Sequence, residues 1–278
     1  MNISIICNDA ACYSTIKSSG FCGIDFSFPN APDCKNVLTQ EYYDSVLEKH
    51  QLLKENGLYV AQTHLSIMPA HIEPLGDGTY QSFEEYMLPI LLKEIELTAK
   101  MNCRTAVIHL YFENDKEKSR AGNIQLISKL LPTLEKHNVI LSIENIFGPR
   151  LSDAHLTTAE DLLFYIDYFK SENLGICLDT GHAVVLKQNP TEMLKKIGAN
   201  LTALHIHTTV LPDDMHLIPN TVHWEEKIDW DEFSQELLRT QYGGTFNLEV
   251  KLPKKLKGDA VTAFYQLAYA VAKEIICN

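Results

Sequence analysis

Four successive apolar runs each end on a side chain able to hold a metal or move a proton. Glu144 ends the run in VILSIENI (from Val139), Asp179 in LGICLDT (from Leu174), His205 in LTALHIHT (from Leu201) and Glu249 in TFNLEVK (from Thr245). Side chains alternate along an extended chain. Ser142 and Glu144 therefore share a side opposite Ile143, Cys177 and Asp179 a side opposite Leu178, Ala203 and His205 a side opposite Leu204, and Asn247 and Glu249 a side opposite Leu248. One side is aliphatic; the other holds small or polar residues and then the ionisable one. Three carboxylates brought together repel one another unless a counter-charge lies between them. No Lys or Arg lies inward on these runs up to the four ionisable residues, so a divalent cation is the expected partner. Three oxygens and one nitrogen suit Mn²⁺, Mg²⁺ or Co²⁺ and accommodate Zn²⁺. Such a set leaves positions open for substrate, as a Lewis-acid catalyst requires. His64 and His109 repeat the pattern more weakly at the ends of the third and fourth runs.

Eight β-type runs can be read, the first four being ISIIC (from Ile3), GIDFSF (from Gly23), LYVAQTHL (from Leu58) and RTAVIHLY (from Arg104). Most of the intervening segments have helical spacing. EYYDSVLEKHQLLKENG stops at Gly57, and SFEEYMLPILLKEIELTAKMN, NIQLISKLLPTLEKHN and AVTAFYQLAYAVAKEII carry the same period. The helices near YSTIKSS and PTEMLKKIG look short. Alternating strands and helices imply right-handed βαβ units on a parallel sheet. Repeats of this size fit a single α/β domain over residues 1–278, a closed (β/α)8 barrel, better than a doubly wound sheet. The latter would more typically carry a Gly-rich turn after the first strand. In a barrel, all four candidate ligands fall at the catalytic, C-terminal face.

The chain has 278 residues and is 45% hydrophobic, enough for a sizeable core. Its net charge of −12 disfavours broad electrostatic binding to nucleic acid or anionic membranes. The N-terminal segment lacks the basic region of a signal peptide, and no run is long enough for a membrane span. Seven cysteines without a CxxC motif point to reduced thiols and a cytoplasmic location. Cys7, Cys22, Cys103 and Cys177 lie in or beside apolar runs and are expected to be buried thiols.

THL at His64, VIHL at His109, SIEN at Glu144, CLDTGH at Asp179 and His182, HIH at His205, DMHLIP at His216, IDW at Ile228 and LEV at Glu249 span nearly the whole chain. In that order they resemble the xylose isomerase-like TIM-barrel superfamily, which includes sugar-phosphate isomerases and epimerases as well as endonuclease IV. The resemblance implies one divalent metal on Glu144, Asp179, His205 and Glu249. It also implies that Glu144 and Glu249 exchange protons with a carbohydrate on opposite faces, through an enediolate. His182, at the start of the loop after Asp179, would bind substrate oxygens, as would His64, His109 and His216. Homodimers and homotetramers are common assemblies in such barrels.

The chain departs from the ketose epimerases where substrate would be gripped. No Arg occurs between His205 and Asp229, and HWEEK replaces the usual glycines before IDW, with extra residues around NTV. His223 and Trp224 are candidates for lining this altered pocket. The basic cluster in KLPKKLKG, with Lys251 at the parity of Glu249, is a candidate anchor for an anionic substrate group. Three rival readings remain. His64, His109, His182, Asp214 and His216 also match the zinc-ligand motifs of endonuclease IV, a trinuclear phosphodiester hydrolase. NIFG after Glu144 and the acidic composition depart from that enzyme. The others are a dehydratase of the same superfamily and a non-catalytic sugar-binding module, the latter disfavoured by intact Glu144 and Glu249.

Overall fold

In the computed structural model, the described residues are 1–30, 33–67, 83–110, 115–146, 156–222 and 226–277. The strands are β1 (Asn2–Ile6), β2 (Gly23–Ser27), β3 (Tyr59–His64), β4 (Thr105–Ile108), β5 (Ile140–Glu144), β6 (Leu174–Asp179), β7 (Leu201–His205) and β8 (Thr245–Leu248). All eight runs read from the sequence are strands. They form one parallel sheet in the order β7-β6-β5-β4-β3-β2-β1-β8. Ile206 N–H donates to Asn247 O (2.8 Å) and Glu249 N–H to Ile206 O (3.0 Å), bringing the two edges together into a nearly closed (β/α)8 barrel.

The helices are α1 (Tyr13–Ser19), α2 (Gln40–Glu55), α3 (Phe83–Lys100), α4 (Lys116–His137), α5 (Ala159–Phe169), α6 (Thr180–Val185), α7 (Pro190–Ile197), α8 (Trp230–Arg239) and α9 (Asp259–Cys277). Their starts are chemically marked, because the first N–H groups of a helix need acceptors. Thr39 caps α2, Asp115 caps α4, and Thr158 with Asp161 forms a capping box on α5. IDW is such a start: Asp229 accepts from Glu232 N–H at 2.9 Å, while Trp230 is buried.

The alternation of faces has a direct counterpart in packing. Ile143, Leu178, Leu204 and Leu248 belong to the large core between barrel and helices, whereas Val107, Cys177 and Ala203 form a small separate cluster. Two register shifts set the final alignment. Ile176 pairs with Leu201 but Cys177 with Ala203, leaving Thr202 as an extra residue in β7. Without it Asp179 would face Leu204; with it Asp179 faces His205. Thr202 Oγ1 contacts Ser142 Oγ (2.7 Å) and Ile176 O (3.3 Å), which holds the bulge in place. A second shift makes Ala61 the extra residue in β3 and sets Gln62 opposite Asp25.

All seven cysteines are free thiols; Cys7, Cys103 and Cys177 are buried, while Cys22 is only half-buried. Among the described residues no helix is long and apolar enough to cross a membrane.

The exit of β3 is held by a buried acid on α3. Glu94 accepts from Ser66 N–H at 3.0 Å and contacts Ser66 Oγ, which donates to Pro29 O at 2.6 Å. Burial pushes the Glu94 carboxyl up to about 8. A protonated Glu94 can donate to Ser66 Oγ while that hydroxyl still serves Pro29. The folded chain then holds a proton the unfolded chain has released, so stability falls as pH rises from the ordinary carboxylate range toward 8. Thermal melts should therefore show the wild-type Tm dropping several degrees further than that of Glu94→Gln between about pH 5 and about pH 8. Parallel profiles would show that Glu94 does not change protonation in this window.

Candidate active site

Glu144, Asp179 and His205 are the last residues of β5, β6 and β7, and Glu249 follows β8 directly. Their ligand atoms all lie within 4.8 Å of one another. The meeting point is one imidazole nitrogen. His205 Nδ1 is 3.1 Å from Glu249 Oε2, 3.2 Å from Glu144 Oε2 and 3.8 Å from Asp179 Oδ2. His205 and Asp179 are fully buried. Glu144 Oε1, Glu249 Oε2 and both His205 ring nitrogens are buried without a hydrogen-bond partner among the described residues. Buried polar atoms are ordinarily satisfied. The orphaned Glu249 Oε2 and His205 Nδ1 face each other, and with the Glu144 and Asp179 carboxylates beside them they make a donor set that fits a divalent cation.

The two glutamates are inequivalent. Burial would raise the Glu144 carboxyl, but His205, His109 and His182 together hold it well below the ordinary carboxylate range. Burial raises Glu249, and the neighbouring Asp179 and Glu144 charges add to that rise against the pull of His205.

The other histidines surround this point. His109 Nε2 lies 3.0 Å and His64 Nε2 3.4 Å from Glu144 Oε2. Those three residues also form a metal-capable group, as do His207, Asp214 and His216. His216 adopts a left-handed backbone (φ 49°), and its Nδ1 lies 2.9 Å from Glu249 O, its Nε2 2.8 Å from Asp214 Oδ2. Lys251 is exposed, and its backbone N–H donates to His216 O at 3.0 Å. His223 and Trp224 lie outside the described residues.

One expectation needs correcting. His182 is not at the start of a loop but in the first turn of α6. Asp179 is the N-cap of that helix, its Oδ1 accepting from His182 N–H at 2.6 Å. The spacing in DTGH is thus a capping spacing as well as a pair of functional residues. The His182 ring is aimed inward, with Nδ1 3.0 Å from Asn145 O and 3.1 Å from Glu144 Oε1.

Several site residues escaped the sequence reading. His207 Nε2 lies 3.0 Å from Asp179 Oδ2. Asn145 clamps β5 to β6, accepting Asp179 N–H at 2.7 Å and donating to Asp179 O at 2.9 Å. Thr180 Oγ1 donates to His207 O at 2.7 Å. Asp25, on β2, sits 3.2 Å from His205 Nε2. The signals were present: His207 is two residues beyond His205, and Asp25 is a charge inside an apolar run.

A parallel eight-stranded barrel with carboxylates and histidines at its C-terminal mouth defines a metal-capable α/β-barrel protein. The chain matches the family of xylose isomerase-like TIM barrels over residues 14–267 and belongs to it. It is similar to the uncharacterized protein y4fM of Sinorhizobium fredii, 24% identical over 190 residues, which are 66% of this chain and 58% of that relative's length. It is also similar to the D-psicose 3-epimerase of Enterocloster bolteae, 23% identical over 232 residues, which are 78% of this chain and 73% of that enzyme. Its fold matches a D-psicose 3-epimerase crystallised in the presence of D-fructose (TM-score 0.76, 14% identity, 100% of both chains). It also matches an IOLI protein with a bound zinc atom (TM-score 0.74, 14% identity, 99% of this chain and 98% of that one).

Gly181 offers a direct check on the site's packing. A Cβ there would lie 1.9 Å from His207 Cε1 and 2.3 Å from its Nδ1. The ring must move and release Asp179, although Ala is otherwise the better helix former. Gly181→Ala should keep its far-UV circular dichroism yet bind Zn²⁺ at least roughly tenfold more weakly in a metal-buffered titration. Unchanged affinity would show that the His207 contact does not hold Asp179 in place.

Proposed function

We propose that the protein is a divalent-metal-dependent isomerase or epimerase acting on a sugar, a sugar phosphate or a related polyol acid by proton transfer. The observation that carries this reading is the convergence of Glu144, Asp179, His205 and Glu249 on one buried point with unsatisfied oxygens on both glutamates. These four residues would hold a single divalent ion. When bound, it would supply Lewis-acid polarisation of a substrate carbonyl and hydroxyl. Glu144 and Glu249 both lie within 3.2 Å of His205 Nδ1, so their two carboxyl groups are close to one another at the barrel mouth. A substrate carbon bound between the two carboxyls would have a base to take its proton and an acid to return one, as inversion or isomerisation next to a carbonyl requires. His64, His109, His182 and His216 would orient substrate hydroxyls. The similarity to D-psicose 3-epimerases supports a carbohydrate substrate.

A second reading, a phosphodiester hydrolase with a trinuclear zinc site, has a specific observation in its favour. His64, His109 and Glu144 form one further metal-capable group, and His207, Asp214 and His216 another.

The first reading predicts one equivalent of tightly bound metal by elemental analysis, lost in both Asp179→Ala and His205→Ala; three equivalents would favour the hydrolase. Glu249→Gln should retain metal, because an amide oxygen still coordinates, while turnover falls by roughly 10²-fold or more. Turnover in deuterated water should label the reacting carbon of the substrate. Absence of label in both reaction directions would rule out proton transfer as the chemistry.

The reading extends to an anionic substituent on the substrate, held by Lys251 in the loop that follows β8. Barrel anion sites commonly form from the loops after strands seven and eight. Lys251→Met should raise KM roughly tenfold for an anionic substrate and spare a neutral analogue. Equal KM values, with no competition from inorganic phosphate, would leave Lys251 a solvated surface residue.

A further inference from the structure

We propose that Asp25 is a positioning residue for the metal centre: it accepts the Nε2 proton of His205, so that His205 presents Nδ1 as an open ligand. The inference rests on the metal-dependent reading above and concerns a residue on a strand that supplies none of the four candidate ligands.

Asp25 is fully buried in β2. One of its oxygens, Oδ2, accepts from Gln62 Nε2 at 2.8 Å and Asn247 Nδ2 at 3.0 Å and lies at an ion-pair distance of 3.2 Å from His205 Nε2, so that three other strands meet at it. The amides are themselves held in place. Asn247 Oδ1 accepts from Ser4 Oγ at 2.8 Å, and Ser4 Oγ contacts Thr245 Oγ1 at 2.8 Å. Gln62 Nε2 also approaches Leu204 O at 3.4 Å. The register shift at Ala61 is what sets Gln62 opposite Asp25.

A buried carboxylate is costly, and two amide donors offset only part of that cost. No lysine or arginine is paired with Asp25 among the described residues; the ion-pair partner is His205. The contact is to the ring nitrogen opposite the one that meets Glu144 and Glu249. A neutral imidazole carries one proton. To ligate through Nδ1 it must carry that proton on Nε2, and the proton then needs an acceptor. The other two groups on Asp25 Oδ2, Gln62 Nε2 and Asn247 Nδ2, are donors, which leaves that oxygen as the acceptor facing His205 Nε2. Asp25 is the group that makes the Nε2–H tautomer favourable. Without it the proton would prefer Nδ1, where Glu144 and Glu249 would accept it, and the ligand would be blocked.

The test titrates Zn²⁺ alone into wild type, Asp25→Asn and Asp25→Glu under metal buffering, with thermal melts alongside. Long-range ¹H–¹⁵N NMR of the histidine rings accompanies it. Asp25→Asn, close to isosteric, should lose roughly 10- to 100-fold in zinc affinity, and Asp25→Glu should recover part of that loss. In zinc-loaded wild type, His205 should carry its proton on Nε2, and this holds whether or not the variants fold. A wild type that binds zinc while Asp25→Asn binds it equally well, or a His205 that ligates through Nε2, would overturn the role of Asp25 alone. A wild type that binds no zinc, and likewise no Mn²⁺, would overturn the metal-dependent reading on which it rests.

Discussion

The electrostatic conflict at His205 Nδ1 is the constraint around which the barrel mouth is organised. Three carboxylates approach one imidazole nitrogen within 3.8 Å, at the end of strands whose outward faces are buried under helices. Water has limited access to screen this charge, and among the described residues its ion-pair partners are histidines rather than lysines or arginines. Histidine is both a weak cation and a ligand. A ring of histidines can therefore reduce repulsion around the carboxylates and also serve a bound metal or substrate.

Much of the surrounding structure holds these groups against that repulsion. The bulge at Thr202 brings His205 opposite Asp179. Asp179 is fixed by Asn145, by its cap on α6 and by His207. Gly181 leaves room for the His207 ring, so a backbone residue without chemistry of its own governs the placement of one that has it. His205 is backed by Asp25, which is in turn held by Gln62 and Asn247. The ligand set is thus carried on a second set of polar contacts inside the barrel, not on the loops alone.

The strands were legible because each is a short apolar run bounded by polar residues, and buried parallel strands have that pattern. The four convergent side chains were legible for a related reason: parity counted back from a strand's C-terminal end is unaffected by a bulge nearer its start. Register itself was hidden. Neither Ala61 nor Thr202 announces that it is the extra residue, because register belongs to a pair of strands. Asp25 is a charge within GIDFSF, yet it was not singled out, because its link to His205 depends on strands brought together from distant parts of the chain. Helix α6 was missed because six residues are too few to show a period, and its cap is also a candidate ligand. The start of α4 lies seven residues before the periodic stretch begins, where Asp115 caps a polar first turn.

The central claim is that one divalent cation belongs among Glu144, Asp179, His205 and Glu249. The most direct measurement is anomalous diffraction from crystals soaked in Mn²⁺, with data collected at the manganese edge. The account predicts an anomalous peak bounded by these four side chains, with His205 Nδ1 facing it. A well-ordered barrel with the four side chains in place and no peak between them would contradict it.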